Sequence, residues 1–220
     1  MQKYFYLLCL LFSLIIGKVC RAQSVVVCLG DSITRGAYLP DESTFPAQLQ
    51  QILQNATVVN AGVPGNTSTA GLLRFDKDVA PQHPQYVVLF FGTNDSVLRE
   101  NGTYKVPLEK FTKNLQELIT RTRALNAQPV LCTLLPILPE PYFKRHPEEI
   151  YKKEGGLEAI LQRYRTATLD VGKEEKVPVV DLYTTFSNDL SLLRPAPDGV
   201  HPTAQGAQVI AREVAKVITK

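Results

Sequence analysis

Short apolar runs alternate with longer amphipathic stretches along the chain. The runs are nearly continuous and rich in β-branched residues, which is typical of strands buried on both faces of a sheet. They cover residues 24–29, 57–60, 86–91, 129–135 and 177–182. Between them, apolar side chains recur at helical spacing and predict the core-facing sides of helices: Phe45, Leu49, Ile52 and Leu53; Leu108, Phe111, Leu115, Leu118 and Ile119; Leu157, Ile160, Leu161 and Tyr164; Val209, Ile210, Val214, Val217 and Ile218.

This alternation predicts one domain, residues 23–220, in which helices cover both faces of a parallel sheet. The longest stretch without either pattern is 136–156, which we expect to be an irregular loop. Long loops of this kind are often functional. Ligands of open parallel sheets bind at the carboxyl ends of the strands, so side chains that follow the apolar runs are the first candidates for chemistry.

Residues 1–22 have the pattern of a secretory signal peptide. Lys3 precedes an apolar stretch of about 14 residues, and Cys20 and Ala22 put small residues at the −3 and −1 positions of a cleavage site before Gln23. The apolar stretch is shorter than the roughly 20 residues that span a bilayer. We therefore expect export to the periplasm or medium, with cleavage near Ala22/Gln23 and no stable membrane insertion afterwards. An uncleaved anchor is the alternative. Lipidation at Cys20 is disfavoured, because Lys18 and Val19 precede it where small residues are wanted.

The charge of the chain argues against nucleic acid as a partner. The leader holds three of the 24 Lys and Arg residues and no acid, so the rest of the chain carries 21 bases against 21 acids. That balance lacks the basic footprint of nucleic-acid binding. The two cysteines outside the leader, Cys28 and Cys132, lie in apolar runs and are expected to be buried thiols without metal-ligand spacing. We expect a monomer that acts on a small molecule.

Ser32 is the candidate nucleophile and His201 the candidate base. Ser32 follows the first apolar run, and its hydroxyl becomes a good nucleophile only when a base takes its proton. His201 lies three residues after Asp198, whose carboxylate can hold one ring nitrogen and leave the other free for the serine. A serine that caps a short helix, and a turn aspartate beside a surface histidine, are the structural alternatives.

Gly65 and Asn94 are candidate donors to the oxyanion that forms when the serine attacks an ester carbonyl. Gly65 would supply its backbone N–H and Asn94 its side-chain amide, together with the N–H of Ser32. One such donor is typically worth about 10²–10³ in rate. A turn glycine and a helix-capping asparagine are equally open interpretations. Three of the four segments follow apolar runs directly, so these groups can gather at one edge of the sheet.

Taken together, the four segments resemble the GDSL, or SGNH, hydrolase superfamily, and most of all its exported esterase, lysophospholipase and thioesterase branch. The segments are Gly30-Asp31-Ser32, Asn60-Ala61-Gly62-Val63-Pro64-Gly65, Gly92-Thr93-Asn94-Asp95 and Asp198-Gly199-Val200-His201-Pro202. The resemblance implies that Ser32, Asp198 and His201 are catalytic and that Ser32, Gly65 and Asn94 form the oxyanion hole.

The resemblance also implies the fold. It predicts a flavodoxin-like three-layer α/β/α sandwich with a five-stranded parallel sheet of order 2-1-3-4-5, and neither a metal nor an organic cofactor. In that order the third strand separates Cys28 from Cys132, which argues against a disulfide between them.

We expect the protein to cleave small-to-medium acyl esters through an acyl-enzyme. Val97 and Leu98, which follow Asn94, and Tyr142 and Phe143, in the loop 136–156, are candidate substrate contacts. Packing of the loop is an equally open role for the two aromatic residues.

Three alternatives remain at this point. One is a carbohydrate O-deacetylase of the same fold, and another is a catalytically silent lipid- or carbohydrate-binding module. The third is a metal-dependent phosphoesterase that would use Asp31, Asp95, Asp198 and His201.

Overall fold

The computed structural model describes residues 24–195 and 198–219, so the predicted signal peptide and its cleavage site lie outside the described residues. The strands are Ser24–Gly30 (β1), Ala56–Gly62 (β2), Tyr86–Phe90 (β3), Gln128–Cys132 (β4) and Val179–Val180 (β5). They form one parallel sheet of order β2-β1-β3-β4-β5. This order confirms the predicted fold class.

Helices connect the strands and cover the sheet. They are Ser32–Arg35 (α1), Phe45–Ile52 (α2), Ser68–Asp78 (α3), Leu108–Ala124 (α4), Pro139–Phe143 (α5), Glu148–Lys153 (α6), Leu157–Glu174 (α7), Leu182–Ser187 (α8) and Ala204–Ile218 (α9). Side chains define several of their starts, since the Thr44 hydroxyl accepts from the Ala47 N–H and the Thr203 hydroxyl from the Gly206 N–H.

Successive side chains of the central strands enter two different cores. Val27 and Leu29 of β1 pack in the cluster that includes side chains of α3, α4 and α7. Val26 and Cys28 pack in the opposite cluster, with side chains of α2, α8 and α9. Because side chains alternate across a strand, a strand buried on both faces needs an unbroken apolar run, which is the pattern of β1.

Three sequence predictions need correction. The fourth apolar run, 129–135, leaves the strand after Cys132, and the fifth forms only two strand residues because Asp181 already caps α8. The stretch 136–156 is not an irregular loop but carries α5 and α6. Pro139 is the first residue of α5, a position where the N–H that proline lacks would have no helical partner. The buried Tyr142 and Tyr151 form a hydrogen bond between their hydroxyl oxygens at 2.7 Å.

The two described cysteines are free and buried, as expected. Strand β3 lies between β1, which carries Cys28, and β4, which carries Cys132. Burial raises the pKa of both thiols well above the ordinary value, so neither is poised as a nucleophile. Within residues 24–195 and 198–219, no helix is both long and apolar enough to cross a membrane.

Candidate active site

The carboxyl edge of the sheet brings Ser32 and His201 together across 169 positions of sequence. The Ser32 Oγ lies 2.8 Å from the His201 Nε2, and the His201 Nδ1 lies 2.7 Å from the Asp198 Oδ2. The arrangement can move a proton from the hydroxyl to the imidazole while the carboxylate holds the ring. The three residues proposed from the sequence therefore form one connected hydrogen-bonded chain.

A tight turn after β1 presents Ser32. The residue opens α1, and the Asp31 carboxylate caps that helix by accepting from the Ile33 N–H at 2.8 Å. A Cβ on Gly30 would lie 2.1 Å from the Thr34 Oγ1, so the exit from the strand requires glycine at this position. The capping role that we weighed for Ser32 belongs to Asp31, which leaves the serine hydroxyl free to meet His201.

His201 is fixed by several contacts in the loop before α9. The Asp198 Oδ1 accepts from the Val200 N–H at 3.0 Å and from the His201 N–H at 3.4 Å. Burial acts to raise the pKa of Asp198, but these hydrogen bonds and the neighbouring imidazole outweigh burial and lower it. The Tyr38 ring meets the imidazole edge-on, with centroids 5.1 Å apart. The carboxylate therefore stays ionised and aligned.

Two backbone N–H groups are available as oxyanion donors. Gly65 lies in an exposed turn with φ +77°, closed by the Asn66 N–H donating to the Val63 carbonyl at 3.2 Å. Neither the Gly65 N–H nor the Ser32 N–H donates a hydrogen bond to any of the described residues. A turn with positive φ favours glycine, so the residue both shapes the turn and leaves its N–H free.

Asn94 connects the turn to the segment that carries Ser32. Its side-chain amide donates to the Asn66 carbonyl at 3.1 Å and to the Asp31 Oδ2 at 3.2 Å. Both amide hydrogens thus have acceptors, and service to an oxyanion requires Asn94 to release or share one of them. The neighbouring Asp95 is structural, because its carboxylate accepts from the Ser68 N–H at 2.9 Å and the Gly92 N–H at 3.2 Å.

A cavity of about 140 Å³ opens beside the serine and the histidine. Of the predicted substrate contacts, Val97 and Tyr142 line it. Leu98 and Phe143 do not: Leu98 is 4% exposed in the core with its N–H on the Tyr151 hydroxyl, and Phe143 packs against the Tyr151 ring. Leu98 faces away from the cavity that Val97 lines, because neighbouring side chains in an extended segment point in opposite directions.

Residues outside the predicted set of site residues also surround the site. Lys105, Arg145 and His146 line the cavity, and the Arg145 guanidinium lies 3.5 Å from the Asp198 carboxylate. Arg74 ties the turn to the nucleophile strand, because its Nε donates to the Asn66 Oδ1 at 2.7 Å and its Nη2 to the Gly30 carbonyl at 2.8 Å. The predicted functional stretch 136–156 signalled Arg145 and His146, whereas nothing in the sequence singled out Arg74.

Other parts of the described chain offer less chemistry. A larger cavity of about 930 Å³ lies at the opposite edge of the sheet, and its described lining contains no histidine, carboxylate, lysine, arginine or cysteine. The described residues contain no group of three or more His, Cys, Asp or Glu side chains arranged to hold a metal ion. The carboxylates proposed for a metal-dependent phosphoesterase are instead engaged in the hydrogen bonds given above.

Several known proteins are similar to this chain in sequence or in fold. A lipoprotein of Bacillus subtilis, YqeF, is 32% identical over 95% of this chain and 95% of its own. The thioesterase 1/protease 1/lysophospholipase L1 of Escherichia coli K12 is 27% identical over 94% of this chain and 88% of its own. A lipase/acylhydrolase from Enterococcus faecalis superposes with a TM-score of 0.73 at 24% identity, covering 89% of this chain and 95% of that one.

A family model gives the assignment directly. The model of the GDSL-like lipase/acylhydrolase family matches residues 28–209, which include all four segments that suggested the resemblance. The chain therefore belongs to the GDSL-like lipase/acylhydrolase family.

Proposed function

We propose that the protein is a serine ester hydrolase that cleaves short acyl esters through an acyl-enzyme on Ser32. One observation carries the proposal: the Ser32 Oγ lies 2.8 Å from an imidazole nitrogen whose partner nitrogen is held by a buried carboxylate at 2.7 Å. A hydroxyl in this setting can lose its proton as it attacks a carbonyl.

The reaction follows from the positions of these groups. His201 takes the Ser32 proton as the oxygen attacks, and the carbonyl oxygen becomes an oxyanion that accepts from the N–H groups of Ser32 and Gly65 and from the Asn94 amide. The imidazolium, stabilised by Asp198, then gives its proton to the leaving alcohol. Water, activated in the same way by His201, releases the acid and restores the serine.

The size of the cavity favours a short acyl group. Sites for drug-sized ligands occupy about 300–1,000 Å³, and the cavity beside Ser32 holds about 140 Å³. Val97 and Tyr142 give it an apolar part. Leu98 is buried and Phe143 packs against the Tyr151 ring, so neither extends the cavity into a long groove. The E. coli relative named as a thioesterase and lysophospholipase supports acyl transfer to water as the reaction.

A sugar O-deacetylase is the second candidate, and Tyr38 is the observation that favours it. This side chain is 53% exposed, adopts φ +66°, and meets His201 edge-on. Strained backbone of this kind clusters at functional sites. An exposed aromatic ring beside the base would offer a flat apolar surface to the leaving group, as a sugar ring requires.

We also propose that the protein acts outside the cytoplasm. The leader pattern supports export, as does the likeness to YqeF, which is named a lipoprotein. Cleavage near Ala22/Gln23 stays a prediction.

The test compares Ser32→Ala with Ser187→Ala, a matched change at an exposed serine at the end of α8. We expect Ser32→Ala to lower 4-nitrophenyl acetate turnover at least about 10⁴-fold and to abolish fluorophosphonate labelling, with Ser187→Ala unchanged. Full turnover by a folded Ser32→Ala protein would remove the serine from the mechanism, and an unlabelled, inactive wild type would favour the silent binding module. Acyl chains of two to sixteen carbons and acetylated sugars then separate the two candidate substrates.

A further inference from the structure

One wall of the catalytic cavity is cationic. Lys105 and Arg145 supply its positive charges next to His146, and Asp198 is the one carboxylate in the cavity's described lining. Asp198 is already engaged, because its Oδ2 lies 2.7 Å from the His201 ring and 3.5 Å from Arg145. Since the chain outside the leader has equal numbers of bases and acids, this wall is a local concentration of positive charge and not a sample of a basic surface.

The backbone of Lys105 is held by a hydrogen bond to a neighbouring segment, while its side chain is exposed. Its N–H donates to the Val97 carbonyl at 2.9 Å, and the adjacent Leu98 and Tyr104 form an antiparallel bridge. The exposed ammonium forms no ion pair within residues 24–195 and 198–219. A cation that is positioned at a cavity yet unneutralised is ready to bind an anion from outside the protein.

Arg145 and His146 come from the segment between α5 and α6. The His146 ring stacks on Tyr142 with centroids 4.1 Å apart, and the Tyr142 hydroxyl is tied to Tyr151. Partial burial, followed by the positive charges of Arg145 and Lys105, lowers the pKa of His146. Lys105 and Arg145 therefore act on the same part of the cavity, although they come from two independent segments.

We propose that the natural substrate is an ester bearing a carboxylate or phosphate, which binds Lys105 and Arg145 while its carbonyl lies over Ser32. The inference rests on the proposed function and names the substrate class of that site. A guanidinium presents a planar pair of donors that suits both anions, and an ammonium adds a compact second charge. Neutral esters react at the same serine but gain nothing from this wall.

The test uses matched ester pairs that differ in one charge. 4-Nitrophenyl hydrogen glutarate against 4-nitrophenyl valerate puts a carboxylate on the acyl side. Acetylglycerol phosphate against monoacetylglycerol puts a phosphate on the leaving side. We expect wild type to favour the anionic member of at least one pair about tenfold in kcat/KM, and the preference to shrink between about 10 and 500 mM salt. The pair that shows the preference identifies whether the anion belongs to the acyl group or to the leaving group.

Lys105→Glu should lower that preference about tenfold, because attraction is lost and repulsion is gained. Lys110→Glu, the same charge change at an exposed lysine of α4 outside the cavity, should leave it unchanged. Lys105 is chosen over Arg145, whose removal would also alter Asp198. Equal rates within both pairs, or a Lys105→Glu preference equal to that of wild type, would overturn the proposal. Failure of the proposed function is distinct, since neutral esters would then not be hydrolysed either.

Discussion

Ionisation of the buried Asp31 carboxyl, next to Ser32 in the chain, is unfavourable, and Asp31→Asn tests this. The side chain is 2% exposed, and its two oxygens accept from the Ile33 N–H and the Asn94 amide. Burial raises its pKa, the Ile33 hydrogen bond opposes the rise, and the charge of Asp95 adds to it. The resulting pKa is about 7 against an ordinary 3.8. The folded protein thus holds this proton more tightly than the unfolded chain does.

The sign and size of the effect follow from that difference. The stability associated with the protonated carboxyl is fully present below about pH 4 and is lost as the pH rises to about 7. At about 1.4 kcal/mol for each tenfold change in proton binding, the loss is about 4 kcal/mol. Asparagine has no proton to lose in this range and still caps the Ile33 N–H. The Asp31→Asn protein should therefore lack this fall in the free energy of unfolding.

Urea unfolding, followed by circular dichroism at pH 4, 5.5 and 7.5, measures the effect. The unfolding free energy of Asp31→Asn minus that of wild type should grow by about 4 kcal/mol from pH 4 to 7.5. For the control Asp170→Asn, at an exposed aspartate of α7, the unfolding free energy minus that of wild type should not change with pH. Parallel pH profiles for wild type and Asp31→Asn would refute the reasoning. Activity should nevertheless fall about tenfold, because the new amide would face the Asn94 amide donor to donor.

Three other substitutions probe single contacts. Asp198→Asn should lower kcat about 10⁴-fold without unfolding the protein, as in serine proteases, because an amide favours the wrong tautomer of His201; a loss under tenfold would contradict this role. Asn94→Ala should cost about 10²–10³ in kcat on 4-nitrophenyl acetate, and unchanged kcat would leave the oxyanion to the backbone donors alone. Gly71→Ala would place a Cβ 2.4 Å from the Phe91 ring; the unfolding free energy should fall by about 1–3 kcal/mol in a urea titration, and a wild-type midpoint would argue that α3 shifts freely.

The sequence predicted β1 and β3 well and overestimated the last two strands. β1 and β3 lie between other strands and between helices, so their apolar runs matched the observed elements closely. The fifth run overestimated an edge strand, because apolar residues that enter α8 look the same as strand residues in a periodicity count. The two short helices in 136–156 were not predicted, because helices of five and six residues have too few turns to show the helical spacing of apolar residues.

The sequence by itself predicted the candidate catalytic elements of this protein: a serine after the first strand, an Asp–His pair before the last helix, and a glycine and an asparagine between them as candidate donors. These residues can be recognised in the sequence because only a few types of side chain can act as nucleophile, base or hydrogen-bond donor. The tertiary structure alone decided that Arg74 ties the turn of Gly65 to β1, that Leu98 faces the core, and that Lys105 and Arg145 share a cavity wall. Those contacts join segments far apart in the chain, and only the packing of the folded molecule sets the distances between them.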